Sequence, residues 1–287
     1  MLKKSKRKER KSSGVWRRLA KNKVAVVSLG ILIVVFLIAV FAPLLAPYSY
    51  EMADLKHGLE GSSSAHLLGT DRLGRDVLSR LLYGSRQSLQ MGIFSVTGAA
   101  VVGIIIGAVA GYYGGFVDNL MMRILDLFQG IPMFLLTIVF AAVLGPSLRN
   151  AIIAIGIGMI PSYARLMRAS LLTVREQEFI EAAKSINASS PRIIIRHIIP
   201  NAISPVLVSF TMGMGGAVLS GAALSFIGLG VQAPIPEWGA MISDARSFMR
   251  AQPQLALYPG ICVMVTVLAF NLLGDGLRDA LDPRLKN

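Results

Sequence analysis

The chain has 287 residues, a mean hydropathy of +0.61 and 16% charged residues, against roughly one quarter charged in a soluble domain. That deficit excludes an ordinary water-soluble fold and points to long stretches that never meet water. The net charge of +13 does not indicate a nucleic-acid surface, because 11 of the 29 Lys and Arg crowd into residues 1–23 with Glu9 as the only acid, and positive charge directly ahead of an apolar run is first a topology signal.

Residues 1–23 are therefore read as a basic cytoplasmic segment and 24–48 as an anchor helix. The apolar stretch is longer than that of a secretory leader, and Pro43 and Pro47 crowd the only small-residue site, so the anchor is expected to stay uncleaved. Residues 49–86 follow as an external loop with an amphipathic helix. This loop carries Arg72, Arg75, Arg80 and Arg86 against Asp71 and Asp76, which conflicts locally with the rule that cationic loops stay inside.

Residues 87–287 are predicted to form the core, with five further spans near 87–117, 127–148, 150–164, 197–236 and 251–274. In the first of these, Gly103, Gly107, Gly111 and Gly115 recur every fourth residue, which places them on one helix face for close packing. Asp118, Arg123 and Asp126 follow, with Arg123 and Asp126 spaced to pair on a helix. The run 150–164 is short, and spans only if Arg165 and Arg168 reach back to the interface. In 197–236, Ser209, Gly213, Gly216 and Ser220 fall on one face and are candidates to line a polar pathway. Trp16, Trp238, Tyr48, Tyr112 and Tyr113 lie near predicted interfaces as anchors. The loop with Pro234, Pro236, Glu237 and Trp238 reads as a rigid turn or the rim of an exit.

Six spans place both termini on one side. With the N-terminus inside, the cytoplasmic segments hold 21 Lys and Arg and the external ones 8, which favours cytoplasmic ends. One cysteine, Cys262, and three scattered histidines give no metal-ligand spacing. No Lys follows a Gly, so no phosphate-binding loop of the G-x-x-x-x-G-K-[ST] type exists. Midplane ionisable groups of the kind secondary transporters use are almost absent.

The connection 165–201 is long for a membrane protein. EFIEAAKSI (178–186) favours helix, Asn187 tolerates the left-handed backbone that ends helices, and Ser190-Pro191 restarts one. The small Ala182 and Ala183 suit burial in a groove on another protein, with Glu181 beside them to pair with a basic group. EAAKSINASSPRIIIRHIIPN (181–201) resembles the EAA loop of bacterial binding-protein-dependent ABC permeases through Glu181, Ala182, Ala183, Ile195 and Pro200. It departs from that pattern at Asn187, where Gly is usual, and at Ile199, where Leu is usual. HLLGTDRLGRDVLSRLLYGSRQSL (66–89), LSFIGLGVQAPIPEWGAMI (224–242) and LAFNLLGDGLRDALDPRL (268–285) resemble the C-type permeases of the dipeptide, oligopeptide and nickel group.

The resemblance implies an all-α polytopic membrane protein with the type I ABC importer permease fold. It also implies a second homologous permease, two cytoplasmic ATPases that each grip one EAA loop, an external substrate-binding protein and a surrounding bilayer. The chain itself would need no cofactor, since ATP would be bound by the partner ATPases. The subunit would then be non-catalytic and move peptides by alternating access in the bacterial inner membrane. Nickel, glutathione or another small solute is the alternative cargo.

Overall fold

The computed structural model describes residues 14–281, and these contain helices and one isolated β-bridge but no strand. Most of the basic N-terminal cluster and the last residues of the tail lie outside that range. A short helix, α1 (14–21), leads into α2 (Lys23–Leu45). Asn22 separates them and caps α2 by accepting from the Ala25 N–H at 3.1 Å.

The second long helix, α3 (Val77–Tyr113), starts ten residues earlier than the apolar run suggested. Asp76 explains the early start. Its carboxylate accepts from the Ser79 N–H and hydroxyl at 2.7 Å, fixing an N-cap that charge counting does not see. The residues between α2 and α3 fold into a compact cap in place of an amphipathic helix. Only one 3₁₀ turn, Leu55–His57, is regular.

Two of the four outlying arginines are paired inside this cap, sharing Asp71, with Asp244 3.7 Å from Arg75. Arg75 is buried and donates to Asp71 at 2.7 Å, and Arg80 is buried with Asp71 at 3.4 Å. Arg80 also donates to the carbonyls of Tyr50 and Pro234. Buried, paired charges carry little topological weight, which removes these two from the local conflict with the cationic-loop rule.

The cap rests on the loop that precedes α11 (Trp238–Ala245). Trp238 is no surface anchor: it is 2% exposed, and its indole N–H donates to the Leu81 carbonyl at 3.1 Å. Glu237 is fully buried as well; its two carboxylate oxygens accept from the Ser88 hydroxyl and the Ala240 N–H.

The expected third span is broken. Helix α4 (Gly115–Gln129) and α5 (Met133–Leu144) meet at 85°. Pro132 has no N–H to continue the ladder and disfavours helix at Ile131. At twelve residues, α5 is too short to cross alone. Helix α6 (Leu148–Arg175) runs eleven residues beyond the short apolar stretch, 28 in all. Helices α10 (Ser204–Phe226) and α12 (Gln254–Leu281) complete the bundle. Five unbroken helices and one bent pair are thus long and apolar enough to span.

The core is densest where α3 crosses α6. A Cβ on Gly103 would lie 2.5 Å from Tyr163 Cβ, and one on Gly107 2.2 Å from the Ala164 carbonyl oxygen, so only glycine permits this approach. Gly111 continues the contact against Leu171. Gly115 does not belong to this stripe: Gly114 turns at φ 65° and Gly115 opens α4 at φ 53° with open space around it.

Candidate functional site

At the end of α6, two residues separate Arg175 from α7 (Glu178–Ser185). The Arg175 guanidinium donates to the Gly111 carbonyl at 2.9 Å and reaches that of Tyr112 at 3.4 Å. It thereby satisfies carbonyls at the C-terminus of α3 and brings a cation to the negative end of that helix. The ends of α3 and α6 are held together just where the chain leaves the bundle.

Helix α7 is pinned by one face. Ile180 has no exposure and Ala183 is buried, both packing into the cluster that contains Met167, Leu171, Ile193 and Ile198. The helix then ends at Asn187, whose φ of 52° is left-handed. The Asn187 N–H donates to the Lys184 carbonyl at 2.9 Å and the Ala188 N–H to the Ala183 carbonyl at 3.2 Å. These two bonds make a Schellman cap, with Asn in the position glycine usually takes.

The chain restarts at α8 (Ser190–Ile193) and widens into a π turn over Ile194–Ile198. Pro200, in α9 (Ile199–Ala202), has no N–H to close an α turn onto the Arg196 carbonyl, and the ladder opens just before it. The Tyr112 hydroxyl bonds to Ser190 Oγ at 3.3 Å, tying α3 to this segment. Tyr112 thus belongs to the foot formed by α7–α9 and is not only an interface anchor.

The two alanines of the EAA sequence therefore divide. Ala183 faces the chain's own core, whereas Ala182 is exposed. With Ile180 fixing the roll of α7 in the core, Ala182 is the one of the two left uncovered in this structure. Glu181, Asn187, Ile195 and Pro200 are exposed. The free side also presents Phe179, Ile186 at 80% exposure and Ile195 at 66%. Phe179 and Ile186 were not singled out from the sequence. Their spacing with Ala182, i, i+3 and i+7, is the helical signal that could have found them.

Above the foot, α4 is clamped to α6. Arg168 makes a two-pronged contact with Asp118, Nε to Oδ1 and Nη2 to Oδ2 at 2.5 Å each, and Arg165 pairs with Asp126. Asp126 thus reaches across to another helix in place of Arg123 on its own. A fork-to-fork pair of this kind fixes orientation as well as charge.

The four residues proposed to share a pathway face lie along one side of α10 but meet different surroundings. A Cβ on Gly213 would meet the Tyr163 hydroxyl at 2.3 Å, and that hydroxyl donates to the Ser209 carbonyl at 3.1 Å. Gly213 and Ser209 thus belong to the α6–α10 contact. Gly216 is exposed with nothing within 4 Å, and Ser220, one turn on, is half-buried. Among the described residues no cluster of His, Cys, Asp or Glu could hold a metal.

The binding-protein-dependent transport system inner membrane component family matches residues 103–287, and the N-terminal TM domain of oligopeptide transport permease C matches 12–61. The chain is 49% identical over 272 residues to the dipeptide transport system permease protein DppC of Alkalihalophilus pseudofirmus, covering 95% of this chain and 90% of that protein. It is 45% identical over 273 residues to the glutathione transport system permease protein GsiD of Pectobacterium atrosepticum, covering 95% and 91%. Among solved structures, an inward-facing MetNI methionine ABC transporter superposes with a TM-score of 0.58 at 19% identity, over 71% of this chain and 97% of that one. An amino acid ABC transporter with histidines gives 0.54 at 17%, over 69% and 92%. These likenesses identify the bundle as the fold of ABC importer permeases, and the chain belongs to the family of binding-protein-dependent transport system inner membrane components.

Proposed function

We propose that the chain is one of two permease subunits of an ATP-driven importer of short peptides, and that α7–α9 is the foot by which cytoplasmic ATPases move it. One observation carries the reading. A short helix outside the spans is locked to the bundle through Ile180 and Ala183 while its other side leaves Phe179, Ala182, Ile186 and Ile195 uncovered. Apolar groups displayed in this way on a rigid support suit a groove on another protein.

ATP is hydrolysed on two partner ATPases, and an external binding protein delivers the cargo. The foot, α1 and the end of α12 lie at one end of the bundle, since Gly276 packs on Ala25 and Arg175 on the end of α3. With the positive-inside bias, this supports a cytoplasmic foot and cytoplasmic termini in the inner membrane. Peptide cargo is supported by relatives named for dipeptide and glutathione transport, both small peptides. The exposed surface around Gly216 and Ser220 faces the second permease across the pathway. ATP binding closes the ATPases, biases the foot, and shifts the bundle between inward-open and outward-open packings.

The test is Ala182→Glu. It is expected to leave membrane insertion and melting unchanged, to weaken ATPase co-purification about tenfold or more, and to abolish uptake. Normal uptake and normal co-purification would remove the docking role from this face.

A further inference from the structure

Of the four outlying arginines, Arg75 and Arg80 are buried against acids, and Arg72 is exposed on the cap. Arg86 differs from all three. It is half-buried, makes no ion pair or hydrogen bond among the described residues, and stands at the mouth of a groove between α2 and α3. The groove holds about 270 Å³. Its walls are apolar, Phe36 and Val40 from α2 and Leu89 and Ile93 from α3, and Gln90 lies one turn below Arg86 on the same face.

The depth of Arg86 follows from the fold. The Tyr48 N–H donates to Ser79 Oγ at 3.1 Å, which aligns the chain just past the end of α2 with the first turn of α3. Arg86 lies seven residues further along α3, roughly 10 Å deeper. That is beside the last apolar turns of α2, which ends at Leu45. A guanidinium at this level is costly unless it meets an anion, and its long side chain can reach the headgroup layer.

We infer that this groove is a phospholipid site, with the lipid phosphate held by Arg86 and Gln90 and one acyl chain lying between α2 and α3. A phosphodiester supplies the two oxygens that a guanidinium fork engages, in a setting where no protein carboxylate does so. The apolar walls exclude a free polar phosphate, which would leave the lower groove empty. The lipid would bridge α2, the N-terminal helix, to the bundle.

The test uses the full chain in membranes containing phosphatidylglycerol with a diazirine in its acyl chain. Irradiation is expected to concentrate label on 36–40 and 89–94. Arg86→Gln should lower that label about tenfold, the loss of a charged hydrogen bond, while Arg72→Gln leaves it unchanged. Val40→Phe, which narrows the groove without touching the charge, should lower it as well. Label spread evenly over lipid-facing positions such as Val101 and Ile105, or undiminished in Arg86→Gln, would overturn the inference. So would photo-cross-linking from position 40 that captures another protein subunit, since the face would then be a subunit interface.

Discussion

Gly107→Ala on α3 isolates the physics of the bundle's closest contact. The added Cβ would sit 2.2 Å from the Ala164 carbonyl oxygen and 2.9 Å from both the Arg168 nitrogen and Met167 Cβ. Two of these three are backbone atoms, so no rotamer change relieves the overlap. Ordinary contact begins at 3.4 Å, so α3 and α6 must part by about 1 Å, a gap that forfeits a quarter to a half of the dispersion energy along the seam. Together with the strain of an overpacked core, the cost is about 3 kcal/mol. The expected fall in melting temperature is roughly 6–12 °C.

The control lies on the same helix. Gly98 is exposed with nothing within 4 Å, so Gly98→Ala is expected to be neutral or stabilising by up to about 1 kcal/mol through helix propensity. Thermal unfolding of the purified chain in detergent measures both. Gly107→Ala melting together with Gly98→Ala would refute the idea that glycine-mediated approach organises the α3–α6 seam.

Three further outcomes follow from the geometry. Gly216→Phe is expected to leave folding intact and block uptake, whereas Gly213→Phe should prevent folding because Tyr163 and Met159 occupy the space; normal uptake in Gly216→Phe would remove that position from the pathway. Asp118→Asn removes the charge and one of the two acceptor oxygens of the partly buried Arg168 fork, costing about 1–2 kcal/mol. It should raise protease cleavage near Gly130–Pro132, and unchanged cleavage would mean α4 is held by packing alone. In the cap, the Asp54 carboxylate, hydrogen-bonded at 2.8 Å, raises the His57 pKa above its ordinary 6.5, and His57 holds the Asp54 carboxyl below its ordinary 3.8. The charged pair is complete between about pH 4 and 6.5. Its contribution fades as pH rises through the raised His57 value, or falls through the lowered Asp54 value. Amide exchange over 54–58 should be slower at pH 5.5 than at pH 8 after correction for intrinsic rates, and His57→Gln should abolish that difference.

Much of the architecture is legible from runs of apolar residues, because spanning segments must hide their backbone from lipid. The boundaries those runs miss are set partly by interactions distant in sequence and partly by local caps and breakers. Arg165 and Arg168 look like the limit of a short span, yet α6 continues because Asp126 and Asp118 reach them from another helix. Asp76 starts α3 early through a cap. The break at Pro132 is visible locally, but counting uncharged residues from 127 runs straight through it.

In the foot, Asn187 takes the left-handed turn its side chain tolerates. Which alanine faces outward depends on Ile180 finding the core, and the alternation of Phe179, Ala182 and Ile186 encodes that choice only once a helix is assumed. Likewise Gly213 and Gly216 are indistinguishable on a helical wheel. The position of Tyr163 on α6 decides that one packs and the other is open.

The 28-residue, unbroken α6 extends roughly 42 Å at about 1.5 Å per residue. With Arg175 fastened to α3, the two helices form a doubled beam joined directly to α7. A tilt of about 10° at the α7 end would carry the far end by roughly 7 Å over that length. A modest rotation at the α7 end would thus become a displacement wider than one helical turn at the opposite end, using leverage alone and no rearrangement inside the beam.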